Sequence, residues 1–317
     1  MLTVEIREFR STDLDGYVEM SNSSCRDDPD FKEFTAEDVR RNILDSADYR
    51  PEGHFVAVEG DRVVGKGRGI WTPQALKARG PVGWMELLVE PALLGTDVEK
   101  GLFEKIKGYL GGHGISLVQT RVDTRYESRV RQLERLGFVK SEYQNHGMER
   151  DPRGIRQVVP PEGFELRVAR IPEELEIMLR VFNKAFATRD RHVPISMERL
   201  RGTLPIRNPS SHSGIFLAVK KSDGEVVGMV MSDIDHAYNE EHKVRRGGTY
   251  SLAVIPSERR KGLGTALLMK SIEWIGDRGV DAAYISVNVA NPDALSIYRR
   301  AGYKTLQVFQ GYEFRLD

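Results

Sequence analysis

Hydrophobic and polar positions alternate in short runs along the 317-residue chain, and the runs come twice. Val4-Glu5-Ile6-Arg7 and Glu165-Leu166-Arg167-Val168 each read as a short strand leading into an acidic helix start. His54 to Val58 matches Ile215 to Val219; a polar turn follows each, then Val63-Val64-Gly65 or Val226-Val227-Gly228, the pattern of a hairpin. Leu88-Val89-Glu90-Pro91 parallels Ala253-Val254-Ile255-Pro256, and Leu136-Gly137-Phe138 parallels Ala301-Gly302-Tyr303. Val254 follows Val89, and Gly302 follows Gly137, by the same 165 residues. One offset at both ends of a long segment marks an internal repeat.

Arg150 to Gly163 separates the halves and carries Pro152, Gly154, Pro160, Pro161 and Gly163, a density that disfavours helix and strand. The expected organisation is a domain over 1–150, a linker over 151–163 and a domain over 164–317. Each half reads as an α/β layer in which helices pack on a mixed sheet.

The second half holds the candidate chemistry. Gly248 to Ile255 is rich in β-branched and aromatic residues and stops at Pro256, as a strand would. From Leu263 to Ile275 the period changes to that of a helix, with Leu263, Leu267, Leu268, Ile272, Trp274 and Ile275 on its apolar faces and Gly276 and Gly279 as stops. The segment Arg259-Arg260-Lys261-Gly262-Leu263-Gly264-Thr265 thus sits where a strand enters a helix. Unpaired N–H groups and the helix dipole there favour an anion. The glycines allow close approach and the basic residues add charge, so a diphosphate is the expected ligand. Ala282 to Val289 reads as the next strand, and Asn291-Pro292-Asp293 as a capped helix start. Ala294, Ile297, Tyr298 and Ala301 form one face of that helix, and Gly302 ends it.

Val254-Ile255-Pro256-x-x-Arg259-x-x-Gly262-x-Gly264, followed by Asn288-x-x-Asn291-x-x-Ala294-x-x-x-Tyr298-x-x-x-Gly302-Tyr303, closely resembles the motifs of the GCN5-related N-acetyltransferase (GNAT) superfamily. The resemblance implies two tandem GNAT-like domains, each a central mixed, mainly antiparallel twisted sheet flanked by helices. It implies a cleft where the strand ending at Val254 splays from the strand ending near Asn288. Acetyl-CoA would lie there, its pantetheine arm against the backbone of Leu252, Ala253 and Val254, its pyrophosphate on the amides of the 260–265 loop, and Asn288 and Asn291 nearby. Tyr298 stands at the family's general-acid position. Many members carry a Glu on the strand before Val254, where this chain has Gly248, Thr249, Tyr250 and Ser251. Asp233, Asp235, His236, Glu240, Glu241 and His242 are the nearby titratable residues, and none is assigned as base.

At the 165-residue offset the first half has Leu94 opposite Arg259, Asp97 opposite Gly262 and Glu99 opposite Gly264. Tyr126 stands opposite Asn291 and Leu133 opposite Tyr298. Carboxylates at a helix start repel a diphosphate, so this half is expected to keep the fold without the CoA site. Gly60-x-x-x-x-Gly65-Lys66 imitates a phosphate loop, but Gly67 replaces the Ser/Thr, and Gly65-Lys66-Gly67-Arg68-Gly69 leads into no helix, so neither is a nucleotide motif. The charged run from Arg125 to Arg135 reads as a solvated helix face.

Lys+Arg and Asp+Glu both total 47, which leaves no net field to attract nucleic acid or an anionic membrane. No apolar run is long enough to span a bilayer, and the first residues show no signal-peptide core. Cys25 is the single cysteine, so neither an intrachain disulfide nor a thiolate zinc site is expected, and no metal is. The expectation is a cytoplasmic N-acetyltransferase for a primary amine, on a small metabolite or a peptide N-terminus. The alternative is a non-catalytic acetyl-CoA sensor or scaffold. Loops such as 187–209 are expected to shape the acceptor pocket.

Overall fold

The computed structural model describes residues 3–28, 31, 33–46, 48–155, 158–187, 194–203 and 214–316. In chain order the first half gives β1 (Val4–Glu8), α1 (Leu14–Cys25), α2 (Ala36–Val39), β2 (His54–Glu59), β3 (Arg62–Ile70), α3 (Pro73–Arg79), β4 (Val82–Val89), α4 (Asp97–Gly112), β5 (Leu117–Asp123), α5 (Glu127–Arg135) and β6 (Val139–Arg150). The second gives β7 (Phe164–Val168), α6 (Leu175–Phe186), α7 (Met197–Thr203), β8 (Ile215–Lys220), β9 (Val226–Asp233), α8 (His236–Glu241), β10 (Arg246–Val254), α9 (Leu263–Gly276), β11 (Ala282–Asn288), α10 (Pro292–Arg300) and β12 (Lys304–Arg315). Among the described residues no helix is long and apolar enough to cross a membrane.

Two compact units result: unit 1 is Met1–Gln144 with Phe309–Asp317, and unit 2 is Asn145–Val308. These bounds differ from the division expected at 151–163, because each closing strand serves the other half of the sequence. Asn145 to Arg150 of β6 pair antiparallel with β11 in unit 2, and Phe309 to Arg315 of β12 pair antiparallel with β5 in unit 1. Within each unit the strands otherwise pair as neighbours along the chain, antiparallel except for β4 with β5 and β10 with β11.

Each half opens with the same local device. Arg7 bonds Asp13 at 2.7 Å, and Arg167 bonds Glu174 at 2.7 Å, tying the first strand to the start of the first long helix. In unit 2, α9 buries Leu267, Leu268, Ile272 and Ile275 completely against the sheet. At about 1.5–3 kcal/mol per buried aliphatic side chain, this face fixes where the helix begins and hence where its N-terminus points. In unit 1, α4 does the same with Leu102, Ile106 and Leu110.

The other face of the unit 1 sheet carries α1 and a polar surprise. His54, at the start of β2, is fully buried and stacks on Phe9 at 4.5 Å. Burial, then the nearby Arg68 and Lys66, push its pKa down to about 3. An unfolded imidazole titrates near ~6.5, so below that pH the unfolded chain takes up a proton that the folded chain refuses. Stability contributed by neutral His54 is therefore intact above that value and is lost as pH falls toward 3. Going from pH 7 to pH 5 should cost about 2 kcal/mol through this residue alone. Denaturant titration of His54→Ile, which installs the residue found at Ile215, should lose that part of the pH slope; an unchanged slope would exonerate His54.

Candidate active site in unit 2

β10 and β11 pair in parallel only from Arg246–Ala282 to Thr249–Ile285. Beyond that point β10 continues against β9 as far as Val254–Gly228, and β11 against β6 as far as Asn288–Asn145. The two strands part, and the edges that face the gap are not paired with each other. The β10–β9 register also shifts between Tyr250 and Ala253, and Ser251 takes a left-handed φ of 49°. A bulge of this kind bends the strand and turns backbone groups out of the ladder. Leu252, Ala253 and Val254 therefore offer one strand edge to an extended ligand, the geometry of strand addition.

From the end of β10 the chain makes a single 3₁₀ turn over Pro256–Glu258 and enters α9 through Gly262, whose φ is 83°. Arg260 is also left-handed, at 63°. No side chain caps α9 and no acidic residue lies in its first turn. The first intrahelical bond runs from Ala266 N–H to Gly262 O at 3.0 Å, so the amides of Leu263, Gly264 and Thr265 have no partner within the helix. A Cβ on Gly264 would lie 3.6 Å from Ile297 Cδ1, an ordinary separation. Packing within the protein does not require glycine there.

The basic side chains divide their duties. The Arg259 guanidinium donates to Val254 O at 3.1 Å and to Ala185 O, fastening the end of β10 to the end of α6. Both bonds go to backbone carbonyls, where charge toward a phosphate was expected. Lys261 bonds Glu258 at 2.8 Å, which compensates its charge. Arg260 is exposed and has no ion-pair partner among the described residues, leaving it as the loop's uncompensated cation.

Asn288 and Asn291 shape the opposite lip. Asn288 Oδ1 accepts from Ala290 N–H at 2.8 Å, and Asn291 Oδ1 caps α10 by accepting from Ala294 N–H at 3.3 Å. Both oxygens hold the turn, and the amide NH2 groups are donors that could meet a ligand. Tyr298 lies on α10, is 6% exposed, and packs in the unit 2 core with its ring centroid 6.1 Å from that of Tyr303. Of the titratable residues near the strand, Asp233 pairs in register with Gly248, two residues before Tyr250. Asp235 is occupied as the cap of α8, accepting from Tyr238 N–H at 2.9 Å. His236 and Glu240 line a cleft with Trp274 and Arg278, at the far end of α9 and about 20 Å along that helix from Gly262. Glu241 closes α8 and His242 follows it, before β10 begins at Arg246. Of the 187–209 segment, residues 188–193 and 204–209 lie outside the described residues.

Unit 1 contains the same strands without the same opening. β4 and β5 part after Trp84–Gln119, but β4 keeps an unbroken register with β3 from Trp84 to Val89. The N-terminus of α4 is already occupied. Glu99 is 1% exposed; its carboxylate accepts from Gly95 N–H and from Gln132 Nε2, each at 3.0 Å. Asp97 is exposed at the first position of the helix. A protein carboxylate thus takes one amide of the loop before α4, whereas no acidic residue lies in the first turn of α9.

Neither the bulge nor the self-filled α4 terminus was foreseen. Ser251 carries no glycine signal for its left-handed backbone, and Glu99 gave only the sign of its charge.

Comparison with known proteins agrees with this geometry. Residues 179–303 match the family described as Acetyltransferase (GNAT) family. An N-alpha-acetyltransferase of Sulfurisphaera tokodaii is 33% identical over 99 residues, which covers 30% of this chain and 59% of that protein. A mycothiol acetyltransferase of Segniliparus rotundus is 34% identical over 151 residues, covering 47% of this chain and 55% of the relative. The chain therefore spans somewhat more than half the length of these relatives. A GCN5-related N-acetyltransferase from Sphaerobacter thermophilus superposes with a TM-score of 0.71 at 18% identity, over 98% of this chain and 95% of the other, and so shares the fold. The splayed strands, the uncapped helix and the matched segment coincide, and it is residues 179–303 of the chain that match the GNAT family.

Proposed function

We propose that unit 2 is an N-acetyltransferase that moves the acetyl group of acetyl-CoA to a primary amine by direct attack in a ternary complex. The observation that carries this reading is the open anion site at α9 beside the bulged, splayed end of β10, set against the filled equivalent in unit 1. The amides at 263–265 with Arg260 would hold the pyrophosphate, and the β10 edge at Leu252 to Val254 the pantetheine arm. Acetyl-CoA supplies an activated thioester. A free alkyl amine is mostly protonated near neutral pH, so the acceptor has to shed a proton before it attacks. The backbone N–H near Val254 would stabilise the tetrahedral oxyanion, and Tyr298 would protonate the departing thiolate. The relatives' names suggest two acceptor classes, a peptide N-terminus and a small amine.

A non-catalytic acetyl-CoA sensor is the second reading. It draws on the burial of Tyr298 in the core and the absence of a carboxylate on β10. Release of free CoA thiol across a panel of peptide and small-molecule amines decides between them. Amine-dependent release is the expected result; acetyl-CoA binding without release from any amine would favour the sensor.

A further inference from the structure

β3 alternates glycine with cations, Gly65-Lys66-Gly67-Arg68-Gly69, and the two sets serve different faces. A Cβ on Gly65, Gly67 or Gly69 would lie within 3 Å of Leu102, Ile106 or Tyr109 respectively, so the glycines let α4 pack closely. Lys66 and Arg68 lie on the opposite face, toward α1. The Lys66 ammonium sits 4.2 Å above the Tyr17 ring and 5.9 Å from that of Phe34, with no hydrogen bond or ion pair among the described residues. Arg68 reaches Glu86 at 2.9 Å, yet its buried Nε has no acceptor. His54, paired in register with Arg68, is fully buried with Nε2 likewise unpartnered. Arg129 of α5 joins them, donating to Asp28 at 2.8 Å and to Cys25 Sγ at 3.0 Å. It is one residue of the run expected to be a solvated helix face, and here it is drawn inward.

Unit 2 is an internal control for what the fold requires. Gly65 pairs with Ala57 as Gly228 pairs with Ala218, which sets Lys66 against Met229, Arg68 against Met231 and His54 against Ile215. All three unit 2 residues are buried with at most 1% exposure. An apolar trio packs this position well, whereas burying cations costs several kcal/mol in lost hydration unless something answers their charge. Among the described residues, the ion pairs made by this set of three cations (Lys66, Arg68, Arg129) reach two carboxylates (Glu86, Asp28). Glu86 is half exposed, its side chain at 50%, and Phe34 is exposed as well, so the cluster opens to solvent.

We propose that unit 1 binds a small oxyanion, a carboxylate or phosphate group, on the α1 face of its sheet through Lys66, Arg68 and Arg129. This site is separate from the acetyl-transfer reading and does not depend on it. Burial, with Arg68 and Arg129 adding and Glu86 and Cys25 opposing, lowers the Lys66 ammonium to about 8, as fits a cation waiting for a counter-ion.

The test is thermal unfolding with inorganic phosphate or succinate, each against sodium chloride at equal ionic strength. Wild type should gain about 3–5 °C in Tm at ten times Kd. Phosphate alone, succinate alone or both responding would assign phosphate, carboxylate or the shared chemistry. Lys66→Met should unfold at or above the wild-type Tm without anion and should bind at least 10-fold more weakly. No response in wild type would overturn the proposal. So would an intact response in Lys66→Met, which would put the anion elsewhere, such as at α9. If Lys66→Met does not fold, wild type still decides: the NMR titration midpoint of the Lys66 ε-methylene should rise by about one pH unit when the responding anion is added. A midpoint that stays put would refute the site.

Discussion

Replacing Gly262 by Asp and Gly264 by Glu should weaken acetyl-CoA binding by about 10²-fold or more and abolish turnover at ordinary substrate levels. The change writes the residues of unit 1, Asp97 and Glu99, into the α9 loop of unit 2. The two carboxylates oppose the ligand's phosphates by about 1 kcal/mol each near the surface. A glutamate that folds back, as Glu99 does onto Gly95 N–H, removes an amide from the site and with it about 1 kcal/mol of hydrogen bonding. Together these make roughly 3 kcal/mol, which is about 10²-fold. Asp at a φ of 83° is also strained, by about 1 kcal/mol, a cost that falls on stability. Gly264→Ala is the matched control: its Cβ has 3.6 Å of clearance from Ile297, so folding should be unaffected. Calorimetry with acetyl-CoA reads both variants. A double variant that binds within threefold of wild type would show that the loop does not hold the pyrophosphate.

Tyr298→Phe should lower kcat by about 10²-fold while acetyl-CoA affinity holds. Two explanations of Tyr298 compete, the proton donor and the core aromatic, and this substitution separates them because it keeps the ring. Its centroid sits 6.1 Å from that of Tyr303 in the unit 2 core, and Phe preserves that packing. Tyr298→Ala would instead lose about 3–5 kcal/mol of stability and say little about chemistry. Unchanged kcat in a well-folded Tyr298→Phe protein would remove the hydroxyl from the reaction and give weight to the sensor reading.

Much of the unit 2 site was legible because its signals are local. Pro256 ends β10, the apolar period over Leu263 to Ile275 makes α9, and Asn291-Pro292 starts α10. Each follows from residues a few positions apart. What sequence withheld depends on partners far along the chain. The twelve residues of β12 read as one strand, and nothing in their pattern says that Phe309 to Arg315 pair with β5. Arg259 looked like a phosphate ligand because its neighbours are basic, while its bonds to Val254 O and Ala185 O depend on where α6 ends. Lys66 and Arg68 were dismissed with a failed nucleotide motif. Their meaning appears only when β3 is set beside β9 and the same positions hold Met229 and Met231.

The internal repeat also shows which parts the two units keep in common. α4 keeps the apolar face that packs on the sheet, Leu102, Ile106 and Leu110, so the helix still docks. What differs is the loop before it, where Gly95 N–H donates to Glu99. β4 also parts from β5, after Trp84, but without the bulge that bends β10.

Isothermal titration of the whole chain with acetyl-CoA should show about one site per chain, in unit 2, lost in the Gly262→Asp, Gly264→Glu variant and retained in Glu99→Gly. Two equal sites in wild type, or one site that survives the double substitution, would contradict a single site in unit 2.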